Sequence, residues 1–381
     1  HACESSAPPK SERNDVMGLT LSELSRMAGA ELRGDPQRVV THAATLQDAG
    51  EGAISFLANR RYAALLPTTR ASAVVLAADD APDCPCDCLV SDNPYLAHAR
   101  VMAALYPDKD PVPGIHPSAC VDASARVADT AEVAANCYLG PGVVLGDGVF
   151  IGPGCVLLDD VFVGAGSRLV ASVTLCAQTR LGQRCLIHPG VVIGGDGFGL
   201  ANDDGAWVKV PQIGRAVLGD DVEVGACSSI DCGAIGDTVI EDGVKLDDQV
   251  HVAHNVRIGR HTAVAGCAAI AGSTEIGAYC TLAGAAGITG HVELADHVHV
   301  SGMTAITRSI KKSGVYTGTV PPMEHASWLK NFARLRHLDD MVRRVRARGP
   351  AAGPARRGCA RRGRGTPCPA SRTRRRAARR R

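Results

Sequence analysis

A period of six residues constrains this chain more than any other feature. Counting from Ile115, every sixth residue through Ile193 is Ile, Val or Leu, fourteen positions in succession. With about a third of residues aliphatic, such a run arises by chance with a probability of order 10⁻⁷. Four places after each lies a small or β-branched residue, such as Ala119, Cys137, Val143, Ser167 or Thr179. Turn formers fill the spaces between, as in Gly140-Pro141-Gly142 and Gly152-Pro153-Gly154, and supply the dihedrals of a sharp corner. Each hexad therefore reads as a short strand plus a corner. After an interruption the period holds again from Ile240 to Val300. A single strand of this kind cannot bury its apolar side alone, so successive coils must stack about 4.8 Å apart around a continuous core. Such a narrow aliphatic core leaves little room for rings, which accounts for an aromatic content of 3% beside 42 glycines.

These hexads resemble those of the hexapeptide-repeat transferases. The resemblance implies a left-handed parallel β-helix with three hexads per coil, a hand opposite to the usual rule for parallel crossovers. The two blocks and the stretch between them correspond to roughly eight or nine coils, a column on the order of 40 Å long. The expected class is mainly β, with a small N-terminal α/β domain and a C-terminal helix. Residues 1–16 read as a disordered leader before a plausible start at Met17. Residues 17–106 form the α/β domain, with helical spacing from Leu19 to Ala28 and from Pro94 to Leu105 and a β-branched strand from Ala71 to Ala77. Prolines mark a linker over 107–114, and the prism occupies 115–320. Over 321–347 Trp328, Leu329, Phe332, Leu335, Leu338, Val342 and Val345 share one face of a helix, which is expected to pack on trimer mates. The basic tail 348–381 is too poor in apolar residues to order itself.

The formal charge of +2 conceals this tail: positive charge is concentrated from Arg343 to Arg381, so the body is acidic and carries no general footprint for nucleic acid. No apolar run approaches the roughly 18 residues of a membrane span, and no signal-peptide pattern precedes the domain, so a cytoplasmic protein without an integral membrane segment is expected. The 15 cysteines are mostly scattered singly through apolar repeats, as small hydrophobes are in a reduced compartment. Cys84, Cys86 and Cys88 form the one cluster, but their alternating spacing is not that of a zinc knuckle, and no metal is expected.

The interruption, Gly194 to Gln212, breaks the corner rule and reads as a loop on one face that lines a binding site. Its glycines lack the spacing of a nucleotide fingerprint. Among 13 histidines, His116, His188, His261, His297 and His299 read as solvated corner residues. His254 stands apart, because Asp247, Asp248, Gln249, His251 and Asn255 surround it on adjacent corners. His291 follows 37 residues later, two coils of 18 plus one, which puts it on the same edge roughly 10 Å along the axis.

The stretches Gly194-Gly195-Asp196-Gly197-Phe198-Gly199, Trp207 to Gly214, Asp247 to Gly259 with Ala253-His254-Asn255, Ile54 to Tyr62 and Asp92-Asn93-Pro94-Tyr95 together resemble the UDP-3-O-(3-hydroxyacyl)glucosamine N-acyltransferases of lipid A synthesis, over about residues 17 to 345. The resemblance implies transfer of a (R)-3-hydroxyacyl chain from acyl carrier protein to the 2-amine of a UDP-glucosamine derivative by a homotrimer. It implies that His254 is the general base, oriented by Asp247, with His291 helping to position substrate or to stabilise the tetrahedral intermediate alongside a backbone N–H near Gly272. Phe56 and Tyr62 would sandwich the uracil while Asn59 reads its edge. Met303 and Ala305 would line the acyl groove. No cofactor is implied beyond the phosphopantetheine arm that the carrier brings, and Lys330, Arg334 and Arg336 are expected to receive that acidic carrier. Rival readings are another hexapeptide transferase acting on a sugar hydroxyl or using acetyl-CoA, a zinc carbonic anhydrase on the same prism, and a non-enzymatic scaffold. No two histidines stand five apart as the anhydrase's metal site requires.

Overall fold

A computed structural model describes residues 18–347; the expected leader 1–16 and basic tail 348–381 lie outside them. The chain divides into two compact units between Thr317 and Gly318.

The first unit opens with the α/β domain. Five strands lie in the order Glu31–Arg33, Asp87–Val90, Ala73–Leu76, Ala53–Phe56 and His42–Ala43, parallel except at the first pair. Alternation along the central strand divides its side chains between two cores. Ala73 and Val75 meet α1 (Leu21–Ala28) and α2 (Pro94–Leu105), whereas Val74 and Leu76 join the cluster on the opposite side with Leu57 and Leu66. Thr20 and Glu23 form a reciprocal capping box on α1, and Gly29 ends that helix at φ +67°. The Asn93 side chain accepts from Leu96 N–H and Pro94 occupies the first turn of α2, so both ends of the motif Asn93-Pro94 serve helix initiation.

From Gly114–Ile115 to Gly314–Tyr316 the chain winds as a left-handed parallel β-helix. Its three faces contain eleven, ten and nine strands, here the first, second and third face in chain order. Neighbouring strands are offset by 18 residues, as in Arg126↔Val144, so each coil spends three hexads. The aliphatic position of each hexad points inward: Leu139, Ile151, Leu169, Ile187, Val252 and Ile270 are all completely buried. Buried hydroxyls at the second inward position are paired across coils. Thr262 Oγ1 donates to Gly277 O at 2.9 Å and accepts from Cys280 N–H at 3.0 Å.

Corners are held by left-handed residues, many of them not glycine. Asn255, Ser273 and His291 all have φ of 58°. Each sends its N–H to the preceding coil: His291 to Gly272 O at 3.1 Å, Ser273 to His254 O at 3.0 Å and Asn255 to the Thr238 hydroxyl at 2.8 Å. These bonds continue the ladder around the corner and offset a strain of roughly 1–2 kcal/mol per residue.

The interruption differs from the single loop expected. Strand offset rises to 37 residues at Val192↔Ser229 and is 22 at Ser229↔His251, before returning to 18 at His251↔Ala269. Two insertions are present, one long and one of four residues, with a regular coil of Leu218, Val224 and Ile230 between them. The prism therefore has about ten coils rather than eight or nine. Within the long insertion Leu200–Asp203 and Ala206–Lys209 form an antiparallel hairpin, closed by Asp204 and Gly205 at φ 44° and 93°. An Asp-Gly pair at positive φ is a favoured two-residue hairpin turn.

In the second unit the expected single helix is two. Helices α3 (His325–Leu335) and α4 (Leu338–Ala347) are separated by Arg336 and His337, where His337 N–H donates to Arg334 O at three-residue spacing. The rings of Trp328 and Phe332 stack at 4.2 Å on α3. Trp328, Leu329, Leu335, Leu338 and Val345 are exposed.

Candidate active site

Both insertions leave the prism at the corner between its second and third faces. The same corner carries His254, after the strand His251–Val252 and before Arg257–Ile258, and His291, after Gly287–Ile288 and before Glu293–Leu294. Gly272 occupies the equivalent place on the coil between them, 18 residues from His254. A Cβ built on Gly272 would stand 2.7 Å from His254 Nε2. The missing side chain opens a notch with the His254 ring along one wall and the His291 corner beyond it.

Asn255 fixes the imidazole. Its Oδ1 accepts from Ala234 N–H at 2.9 Å and its Nδ2 donates to Gly236 O at 3.0 Å, which settles the orientation of the amide. Its own N–H donates to Thr238 Oγ1 at 2.8 Å. His254 Nδ1 lies 3.1 Å from that same Oδ1, an acceptor, so Nδ1 carries the proton. The lone pair of the neutral ring is then on Nε2, facing the notch. Ala234 and Gly236 belong to the four-residue insertion, whose local role is thus to hold Asn255.

The hairpin insertion covers the ring from the other side. A Cβ on Gly197 would lie 2.7 Å from His254 Cβ, so only glycine permits this approach. Lys209 pairs with Asp196 across the hairpin base. Phe198 and Trp207 project outward, 87% and 67% exposed. An exposed apolar patch beside the His254 corner is the kind of surface that marks an interaction site. On the preceding coil the half-buried Asp231 stands 3.9 Å from His251 Nε2. Burial pushes its carboxyl above the ordinary range, and the positive fields of His251 and His254 oppose the shift.

Asp247 does not orient His254 within one chain. It lies on the corner between the first and second faces, where its Oδ2 accepts from Gly266 N–H at 2.8 Å. Met303 shares that corner at φ 56° and is 74% exposed. Between the two corners runs the second face, whose outward positions above His251 are Ala269, Gly287 and Ala305. The result is a shallow strip of small residues bounded by Asp247 and Met303 on one edge and by His254 and His291 on the other.

A separate cleft of about 580 Å³ opens in the α/β domain, lined by Phe56, Asn59, Tyr62, Leu65 and Tyr95. Phe56 stacks one face on His98, with ring centres 3.7 Å apart, and lies 6.5 Å from Tyr95. Burial pushes the His98 pKa down, which favours the neutral ring in that stack. Asn59 Oδ1 caps the following 3₁₀ segment Arg60–Thr68 through Arg61 N–H at 3.0 Å. A planar base entering here would meet the side of Phe56 that His98 leaves open, with Tyr62 and Tyr95 at the rim. Among the described residues no group of three or more His, Cys, Asp or Glu side chains is arranged to hold a metal ion.

Comparison with known proteins shows the family. The family described as UDP-3-O-(3-hydroxymyristoyl) glucosamine N-acyltransferase, LpxD, matches residues 37–104, and the bacterial transferase hexapeptide repeat matches 113–159 and 237–272. The UDP-3-O-acylglucosamine N-acyltransferase of Coxiella burnetii (strain RSA 493 / Nine Mile phase I) is 46% identical over 332 residues, 86% of this chain and 97% of its own length. That of Pseudomonas fluorescens (strain SBW25) is 47% identical over 328 residues, 86% and 93% of the two chains. This chain belongs to the UDP-3-O-acylglucosamine N-acyltransferase family. A solved UDP-N-acetylglucosamine O-acyltransferase from Moraxella catarrhalis superposes with a TM-score of 0.44 at 21% identity, over 62% of this chain and 86% of that one.

In this family member three residues outside the sequence-derived set touch these places: Asn255 and Gly197 meet His254, and Tyr95 lines the aromatic cleft. Asn255 was visible only as a neighbour of His254, because its role depends on an insertion that sequence reading merged into one gap. Gly197 was one glycine among several, and nothing local marks the close approach. Tyr95 follows a helix cap, and its aromatic ring at the start of α2 was the available signal.

Proposed function

We propose that this chain transfers a (R)-3-hydroxyacyl group from the thioester of acyl carrier protein to the 2-amino group of UDP-3-O-(3-hydroxyacyl)glucosamine, in lipid A biosynthesis. The observation that carries the reading is the His254 imidazole, held as the Nδ1–H tautomer by Asn255, with Nε2 free over the Gly272 notch. Nε2 takes a proton from the amine as its nitrogen attacks the thioester carbonyl. A C–N bond forms, the carbonyl electron pair moves to oxygen, and collapse of that oxyanion expels the phosphopantetheine thiolate. His291 and the Gly272 backbone stand beside the notch to stabilise the oxyanion. A thioester is already activated, so alignment and proton removal suffice and no metal or cofactor enters the scheme.

Phe56, Tyr62 and Asn59 bind the uracil, and the alanine and glycine strip ending at Ala305 and Met303 takes the acyl chain. The exposed apolar faces of α3 and α4 and the small-residue second face favour a homotrimer, with Lys330, Arg334 and Arg336 receiving the acidic carrier. No described helix is long and apolar enough to cross a membrane; both substrates of the reaction are cytoplasmic in this reading. The test is acyl transfer from hydroxyacyl carrier protein to UDP-3-O-acylglucosamine, with the product's N-linkage read by mass spectrometry. His254→Ala is expected to lower kcat by about 10²–10⁴. Turnover like that of the unsubstituted protein would remove His254 as the base.

A further inference from the structure

Outside both sites the α/β domain gathers three sulfurs. Cys88 is buried in the strand Asp87–Val90, and the chain just before it bends at Pro85 and Cys86. That bend brings Cys84 Sγ to 3.8 Å from Cys86 Sγ, with the Cys84 thiol directed at the Cys86 carbonyl at 3.4 Å. Cys84 and Cys86 are both partly accessible. A disulfide needs sulfurs roughly 2.05 Å apart, so closure requires a movement of under about 2 Å at a bend.

The chemistry of the two thiols is unequal. The hydrogen bond from Cys86 holds the Cys84 thiol down to about 7, against burial. The same bond, followed by burial, pushes Cys86 up. In the prism, burial pushes Cys155 up to about 11 and also raises Cys137, Cys185 and Cys280. A thiol near neutrality beside a second one is the arrangement that exchanges with small disulfides.

We propose that Cys84 and Cys86 form a reversible dithiol–disulfide pair that tunes the neighbouring aromatic cleft. The Cys84 thiolate attacks one sulfur of a small-molecule disulfide such as oxidised glutathione and releases one thiolate. Cys86 then gives its proton to solvent and attacks the Cys84 sulfur, releasing the second. Two protein thiols are oxidised and one glutathione disulfide is reduced to two glutathiones.

The link to the cleft is structural. The segment Ala78–Asp83, which leads into Cys84, packs against Arg60–Thr68, the segment carrying Tyr62 and Leu65 of the cleft wall. Arg60 and Asp79 join them by an ion pair at 3.7 Å. Cys84 and Cys86 also pack on the apolar cluster that includes Leu46 and Leu57, both of which line the cleft. Drawing Cys84 toward Cys86 therefore pulls on the wall that holds Tyr62.

The experiment equilibrates the full-length protein in glutathione buffers and follows the peptide from Ala71 to Arg100 by mass spectrometry. Reversible loss of two hydrogens is expected, retained in Cys88→Ala, whereas Cys86→Ser accumulates a glutathione adduct on Cys84. Thiols that stay reduced at a poise of about −180 mV, or a cross-link that persists in Cys86→Ser, would overturn the pair. Coupling is read in two ways. Oxidation should weaken uridine 5′-monophosphate binding about 5-fold or more and speed hydrogen exchange over residues 60–68. The binding arm rests on the uracil assignment above, and failure of the reduced protein to bind would count against that assignment alone. Exchange rates over 60–68 that are identical in the two redox states would overturn the coupling.

Discussion

Asn255 decides which nitrogen of His254 carries the proton and which is left free for the proposed transfer. A carboxylate partner would have fixed the same tautomer and also raised the ring's basicity; a neutral amide only fixes it. The residues carrying the amide, Ala234 and Gly236, come from an insertion that sequence reading did not separate from the larger one. His98 gives a second prediction at this scale. Burial lowers its pKa in the folded protein, so between the folded value and about 6.5 the unfolded chain binds more protons. Stability contributed by the neutral ring is present above about pH 6.5 and is lost as pH falls through the folded value. Thermal melts over that window should therefore drop more steeply for the unsubstituted protein than for His98→Phe, which keeps a flat ring on Phe56 without a proton to gain. Parallel curves would mean that the stack does not depend on neutrality.

Corners carry the proposed base and its neighbours, and they are also where the backbone turns left-handed. His291 has φ 58° and is exposed. Its left-handed backbone penalises a Cβ by roughly 1–2 kcal/mol, while glycine adds roughly 0.5–1 kcal/mol of chain entropy to the unfolded state. His291→Gly should accordingly melt at or above His291→Ala, and both should lose activity to the same extent. A glycine variant with full turnover would reduce His291 to a corner filler. The six-residue period was legible because one inward aliphatic side chain per hexad is obligatory in so narrow a prism. Ile240 lies ten residues after Ile230 instead of six or twelve, so a frame carried back from the second block misses the coil of Leu218, Val224 and Ile230. The hairpin is legible in principle from Asp204-Gly205, a turn signal that the neighbouring glycines mask. The break between α3 and α4 had no such mark, since Arg336 and His337 are acceptable within a helix.

Across the whole molecule, the α/β domain offers an aromatic cleft and the prism offers a base beside a strip of small residues. In the proposed reaction, one substrate with a flat base at one end and an acyl-bearing amino sugar at the other would use both. Adjacency of Asp247 to His254 in sequence did not survive the winding of the prism, because seven residues span one face and separate two corners. By contrast, the 37-residue interval from His254 to His291 returns to the same corner. The carrier surface belongs to this scale as well. Reversing Lys330, Arg334 and Arg336 to Glu should raise the KM for the acyl donor roughly tenfold at low salt with kcat preserved, an effect that shrinks as salt is added. An unchanged KM would reject α3 as the docking element. The central claim, that proton transfer occurs at His254 Nε2 in a space kept open by the absence of a side chain, is tested most directly by Gly272→Ala. Gly272 is outside the left-handed region, so alanine there adds no backbone strain, yet its Cβ would stand 2.7 Å from Nε2. Steady-state turnover measured beside a thermal melt should show kcat reduced about 10²-fold or more with melting little changed. Undiminished kcat in a folded Gly272→Ala protein would contradict the account.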